Sequence, residues 1–150
     1  PNMPKLIEFV INHWDLFLAL AIILLMMFSG AISSRLRGYN QISASEAVQL
    51  LNHDNAILVD VREDNEFKEG HIIDAKHIPL GKLNERMDEL EPFREQPIVV
   101  NCRSGHRSAS ACGQLRKKGF TTVYNLKGGI MAWQSAGLPV QKPSKGKKRK

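Results

Sequence analysis

Cysteine is scarce in this 150-residue chain: Cys102 and Cys112 are the two there are. A helix start lies between them and would hold them apart, so no disulfide is expected and a reducing compartment suits the pair. Aromatic residues are also scarce, at 7%, and the basic tail Lys145-Gly146-Lys147-Lys148-Arg149-Lys150 has none. That tail concentrates most of the net charge of +6. The charge therefore describes a solvated arm that would meet anionic lipid head groups or nothing in particular, and no nucleic-acid partner is expected, since nothing in the arm can stack on bases. No repeat is visible, so the chain holds a single copy of its unit. Neither a metal site nor a cofactor is expected.

What the chain has in abundance, at one place, is apolar sequence. Positions 16–28 are apolar without a break, and Ser29-Gly30-Ala31-Ile32 carries the run to position 32. As a helix these residues measure about 26 Å, against about 30 Å for a bilayer core. A core helix would need a polar face, which is missing. A cleaved signal peptide would need a basic stretch first, whereas Lys5 is offset by Glu8 and Asp15; Ser29-Gly30-Ala31 keeps cleavage open as the alternative. The expectation is an anchor over residues 1–32 with one transmembrane helix at 16–32, a linker at 33–40, a domain at 41–140 and a flexible tail at 141–150. Arg35 and Arg37 after the run, against Lys5 before it, put the N-terminus outside and the domain on the cytoplasmic side of the cell membrane. Trp14 and Tyr39 stand near the two ends, where interfacial aromatics belong.

Beyond the linker, Ser43-Ala44-Ser45-Glu46 has the spacing of a capping box, and Ala44, Ala47, Val48 and Leu51 continue it as one helical face. Residues 56–61 form an apolar, β-branched run of the kind buried on both sides in a parallel sheet. Ile78-Pro79 marks a brief strand. Leu80, Leu83, Met87 and Leu90 predict an amphipathic helix ending before Pro92. Ile98-Val99-Val100 is another buried strand, Gly119 and Phe120 close the helix that follows it, Thr121 to Tyr124 is a further strand, and Gly128-Gly129 opens a last helix through Trp133. Strands alternating with helices predict an α/β fold with a parallel sheet, whose functional crevice lies at the carboxyl ends of the strands. Asp60, Cys102 and Asn125 each end a strand and should meet at that rim.

Cys102-Arg103-Ser104-Gly105-His106-Arg107-Ser108 joins such a strand end to a helix start. Backbone N–H groups and the positive end of a helix stabilise a thiolate there, and Arg103 and Arg107 add charge, so Cys102 reads as a nucleophile. A core cysteine has no use for this setting, and Cys112, on an inward face, is the core cysteine of the pair.

The segments Asp60-Val61-Arg62-Glu63, Glu66-Phe67, Gly70-His71-Ile72 and Ala75-Lys76-His77-Ile78-Pro79, together with Cys102 to Ser108, Gly128-Gly129 and Trp133, resemble the two signatures of rhodanese-like domains over Gln41 to about Pro139. The most similar sort is the bacterial membrane-anchored single-domain rhodanese. That resemblance implies a rhodanese-like parallel sheet flanked by helices, and a sulfurtransferase carrying sulfur as a persulfide on Cys102. The donor would be thiosulfate or another small anionic sulfur compound, the acceptor a thiol, a cyanide-like thiophile or a thioredoxin-like protein. It further implies substrate binding by Arg103, Ser104, Gly105, His106, Arg107 and Ser108, with Arg107 facing the pocket as the anion ligand and Arg103 at the rim. His106 is either a solvated loop histidine or a determinant of substrate choice. Asp60 and Arg62 are either supports for the loop and Arg107 or a plain ion pair at a strand end. His71 is structural, and a monomer is expected.

Two other readings stay open. Four residues separate Cys102 from Arg107, one fewer than in the phosphatases that resemble this fold, so phosphatase or arsenate reductase is the runner-up. A catalytically weak, membrane-tethered binding module is the third.

Overall fold

The computed structural model describes residues 2–143, and for residues 30, 31 and 33–35 the backbone alone. The chain divides into two compact units, residues 1–37 and 38–150.

In the first unit α1 is Met3–Asn12 and α2 is Trp14–Arg37. The break falls at His13, whose Nδ1 donates to the Phe9 carbonyl at 2.9 Å while its ring lies against Phe9. No single helix among the described residues is long and apolar enough to cross a membrane. Met3–Asn12 and Trp14–Ser29 meet that requirement only together, and they are bent by 76°. The expected span at 16–32 therefore lies inside a longer helix that runs through the expected linker to Arg37. With no proline along the way, the helix continues until Gly38, whose φ of +72° ends it.

In the second unit β1 is Asn40–Ile42, α3 Ala44–His53, β2 Ile57–Asp60, α4 Asp64–Glu69, β3 Lys76–His77, β4 Ile98–Asn101, α5 His106–Lys117, β5 Val123–Leu126 and α6 Gly129–Ser135. All strand pairs are parallel, in the order β1-β5-β4-β2-β3. Alternation along the central strands separates two cores. Val59, Val61, Ile98 and Val100 join Leu115, Cys112 and Phe120 on one face. Leu58, Val99 and Leu126 join Ala47, Ile130 and Trp133 on the other.

Local rules hold where they are strong. Ser43 Oγ accepts from the Glu46 N–H at 3.2 Å, and Glu46 accepts from the Ser43 N–H at 2.7 Å, which closes the capping box on α3. At the other end of α5, Phe120 N–H reaches the Leu115 carbonyl and Gly119 N–H that of Arg116, at 3.2 and 3.1 Å. That pair of bonds is a Schellman motif, with Phe120 fully buried as its apolar partner.

Several expectations need correction. Tyr39 and Asn40 belong to the domain: Tyr39 is buried in the first core and Asn40 pairs with Tyr124, so Tyr39 is no interfacial aromatic. The helix expected from Leu80 to Leu90 is instead two 3-10 segments, Leu80–Lys82 and Met87–Phe93. Pro79, Gly81 and Pro92 interrupt the region, and the spacings 80/83 and 87/90 suit three residues per turn. Leu83, Met87 and Leu90 are nonetheless buried as expected. The C-terminal boundary extends past 140, because Gln141 bridges His71 through two backbone bonds of 2.8 and 2.7 Å. From residue 144 onward the basic tail lies outside the described residues.

Candidate active site

β4 delivers Cys102 to the carboxyl rim of the sheet, and the chain turns at Gly105, with φ at +103°, before α5 begins. A left-handed residue at this point turns the backbone N–H inward. Gly105 N–H donates to Cys102 Sγ at 3.0 Å, and the Ser108 hydroxyl stands 3.2 Å from the same sulfur. Cys102 is only 1% exposed. Burial opposes ionisation, but the Ser108 hydroxyl and the N–H groups of Ser108, Gly105 and Ser104 outweigh it and hold the thiol below its ordinary range. Burial, joined by the charge on Cys102, drives the Cys112 thiol far up. The two cysteines thus differ in kind: one is poised to ionise and the other is a core side chain.

A loop that turns its N–H groups onto sulfur turns its carbonyls the other way, and these need donors. Ile130 N–H reaches the Cys102 carbonyl at 2.8 Å and Met131 N–H that of Arg103 at 3.3 Å. So close an approach of α6 requires Gly129, with φ at +59°, because any Cβ there would run into the backbone of Cys102 and Arg103.

Arg107 does not point freely into the pocket. Its Nη1 and Nη2 donate to the two carboxylate oxygens of Glu66 on α4 at 2.7 and 2.8 Å, a charge-assisted fork. The Arg107 hydrogen bonds hold the Glu66 carboxyl down at about 2, against an opposing contribution from burial and with help from the Glu63 N–H and the charges of Arg107 and Arg62. The expected anion ligand is thus already paired with an internal carboxylate. Glu66 appeared in the sequence only as part of a motif, and its partner is 41 positions away.

Asp60 and Arg62 form a buried pair at the end of β2. Arg62 donates Nε and Nη2 to the Asp60 carboxylate at 3.0 and 2.8 Å, Nη2 also to the Gly70 carbonyl at 2.8 Å, and Nη1 to the Glu66 carbonyl at 3.3 Å. Their reach to Arg107 therefore passes through the backbone of the residue that grips it. Asn101, next to the nucleophile, donates to Asp60 at 3.3 Å. His71 and His77 each lie flat on the Phe67 ring, at ring separations of 3.8 and 4.2 Å. His77 Nε2 also donates to the Arg62 carbonyl at 2.7 Å, so both histidines brace α4.

Arg103, Ser104 and His106 are exposed on the outer side of the loop. Ser108, expected among the substrate ligands, is wholly buried beneath the sulfur, with its hydroxyl 2.6 Å from Asn125 Oδ1. Asn125 was expected at the rim and carried no expected role at the site. Among the described residues no three His, Cys, Asp or Glu side chains gather where a metal ion could sit.

A parallel sheet that offers a buried, N–H-cradled cysteine at the start of a helix defines a class of thiolate-based transfer domains. The chain belongs to the rhodanese-like family: the rhodanese-like domain model matches residues 43–136. It is 40% identical over 101 residues to a sulfurtransferase of Allochromatium vinosum, covering 67% of this chain and 92% of that one. It is 35% identical over 97 residues to the thiosulfate sulfurtransferase GlpE of Coxiella burnetii, covering 65% and 89%. Among solved structures, a rhodanese-related protein from Thermoplasma volcanium superposes with a TM-score of 0.62 at 33% identity, covering 70% of this chain and all of that one. Some relatives are longer, the chain spanning 51% of one of them.

Proposed function

We propose that the protein is a sulfurtransferase that carries sulfane sulfur as a persulfide on Cys102, taking it from thiosulfate or another small anionic donor and passing it to a thiol or cyanide-like acceptor. The Cys102 thiolate attacks the outer sulfur of the donor; a new S–S bond forms as the donor's S–S bond breaks, and sulfite leaves with the bonding electron pair. In the second half-reaction the acceptor attacks the outer sulfur and Cys102 departs as the thiolate. No net oxidation and no general base are required. The inward N–H groups suit both halves, because the Cys102 sulfur carries the negative charge at the start of the first and again at the end of the second.

The observation that carries this reading is the cradle itself: a buried sulfur 3.0 Å from the Gly105 N–H, in a thiol held below its ordinary range. The test is intact-mass analysis after incubation with thiosulfate at neutral pH. One added sulfur atom on Cys102, removed by cyanide or a reducing thiol, is the expected result. A chain left unmodified by thiosulfate and by other persulfide donors that hydrolyses an aryl phosphate through Cys102 would transfer the assignment to a phosphatase.

The N-terminal helices are read as a membrane tether with the domain on the cytoplasmic side. In support, the side chains of Leu16, Phe17, Leu18, Leu20, Leu25 and Phe28 are all exposed, and Arg35 and Arg37 follow them in sequence. A reporter fused after Lys150 should be active in the cytoplasm; activity confined to the periplasm overturns the reading.

A further inference from the structure

Four hydrogen bonds close a ring behind the nucleophile. Gly105 N–H donates to Cys102 Sγ at 3.0 Å, Asn125 Nδ2 donates to the Gly105 carbonyl at 3.1 Å, Ser108 Oγ donates to Asn125 Oδ1 at 2.6 Å, and Ser108 Oγ lies 3.2 Å from Cys102 Sγ. Cys102, Ser108 and Asn125 are at most 1% exposed. Inside such a ring every proton must be accounted for.

The accounting turns on one hydroxyl. A serine has a single proton to give, and Ser108 has two neighbours that can take it, Asn125 Oδ1 and an ionised Cys102. Asn125 cannot turn its amide over to avoid the competition, because its Nδ2 is committed to the Gly105 carbonyl. While the Ser108 proton lies toward Asn125, the hydroxyl offers the sulfur a lone pair, which suits a protonated thiol and not a thiolate. When the thiol ionises, the hydroxyl must swing to the sulfur and leave Asn125 Oδ1 buried without a donor.

We propose that Asn125 is a positioning residue that governs, through the single hydroxyl proton of Ser108, when the Cys102 sulfur can hold negative charge. The inference rests on Cys102 being the nucleophile of the proposed reaction. It extends that reaction in one respect: once the persulfide forms, the charge moves to the outer sulfur and the Ser108 proton returns to Asn125. The same hydroxyl thus serves the empty and the loaded enzyme in two orientations.

The other charged or titratable groups around the sulfur are accounted for. Arg107, on α5, is forked to Glu66 of α4; Cys112, also on α5, is pushed far up by burial; Asp60 and Arg62, at the end of β2, neutralise each other; Arg103 and His106 stand exposed on the loop. Among the described residues, and apart from the Cys102 sulfur, the Ser108 and Asn125 side chains hydrogen-bond only each other and the Gly105 carbonyl.

The test is the pH dependence of iodoacetamide alkylation at Cys102 in the full chain, read by peptide mass. Ser108→Ala removes the donor and should move the midpoint up by roughly half to one pH unit, the worth of one hydrogen bond. Asn125→Ala frees the Ser108 proton for sulfur and should move the midpoint down by a similar amount. Asn125→Asp keeps the shape but claims the proton more strongly, and should move it up. Both Asn125 variants lose the bond to Gly105, and the Asp carboxylate also raises the midpoint by its own charge, so the fall in Asn125→Ala and its loss in the double variant isolate the acceptor. Because Asn125 acts through Ser108, the Ser108→Ala/Asn125→Ala double variant should match Ser108→Ala alone. Shifts of the same sign in the two Asn125 variants, or an additive double variant, overturn the proposal. Should Asn125→Ala fail to fold, the near-isosteric Asn125→Leu, which likewise has no acceptor, takes its place, and a midpoint that stays put or rises in it refutes the proposal. The readout is alkylation and not sulfur transfer, so an unloaded wild type would sink the sulfurtransferase reading without bearing on the proton.

Discussion

Replacing Glu66 by Gln should destabilise the domain and at the same time make it a better acceptor of sulfur from thiosulfate. The carboxyl lies at about 2 in the fold, against an ordinary 4.5. At ~1.4 kcal/mol per unit this difference is an upper bound of about 3.4 kcal/mol. The fork is a third exposed at Arg107 and a quarter exposed at Glu66, and solvent screening reduces the bound to about 1–2 kcal/mol. Because the folded value is depressed, this stability is fully present above pH 4.5 and is lost as pH falls toward 2. Thermal unfolding of the full chain should therefore show the variant about 5–10 °C lower at pH 7, with the gap closing between pH 4.5 and pH 2. In the persulfide assay at neutral pH, the released Arg107 guanidinium can bind the donor anion, and half-saturation by thiosulfate should fall about three- to tenfold, as a gain of ~1 kcal/mol implies. A stability gap that is the same at pH 7 and pH 2.5 would refute the electrostatic account of the fork. A half-saturation that stays put or rises would refute the idea that Glu66 competes with the donor.

Arg107→Ala should act in the opposite direction, slowing loading roughly ten- to a hundredfold, since it removes the cation and leaves Glu66 as an unpaired carboxylate; a loading rate within twofold of wild type would show that Arg107 never meets the donor. Cys102→Ser should abolish the added sulfur and Cys112→Ser should keep it, as the intact masses of the two variants will show. A chain beginning at Gly38 should be soluble and unfold in one cooperative thermal transition, whereas one beginning at Ile42 should be measurably less stable, having lost Tyr39 from the core and the Asn40 and Gln41 pairings with β5. Gly129→Ala should lower both stability and loading, because its Cβ would press on the backbone that shapes the sulfur cradle.

The readable parts of this chain were those in which one physical rule dominates. β2 and β4 are buried on both faces, so their residues had to be apolar up to the last of each, Asp60 and Asn101, and the run was visible. Ser43 with Glu46, and Gly119 with Phe120, are local arrangements whose partners lie within a few residues, and both formed as expected. Cys102 was conspicuous for the same reason, its cradle being built from the next few backbone amides. β1 escaped notice because an edge strand of Asn40, Gln41 and Ile42 has one buried residue and no alternation to display. α4 is too short to show a period. Across Leu80 to Leu90 the apolar spacing identified the buried side chains correctly, but spacing of three and four residues fits an α-helix and a chain of 3-10 turns alike. The partners at the site were the least visible. Glu66 meets Arg107 across 41 positions, and Asn125 meets Ser108 across 17, and no local pattern encodes a contact between two elements.

The arrangement explains why a domain with so small a reactive centre needs its last helix. Amide groups can converge on a sulfur only if the carbonyls of the same peptides diverge, and a diverging carbonyl in a closed fold must find a donor. The N-terminal N–H groups of α6 have no partners within their own helix and point toward the loop. Ile130 and Met131 thus satisfy the carbonyls of Cys102 and Arg103, and the Asn125 amide satisfies that of Gly105. The Cys102 and Arg103 carbonyls are held by α6, and that of Gly105 is shared between Asn125 of β5 and the Ala109 N–H of α5 at 3.2 Å. The thiolate cradle is consequently not a property of the Cys102 loop alone: it exists only when β5 and α6 have docked behind it, which ties the acidity of one thiol to the completion of the fold.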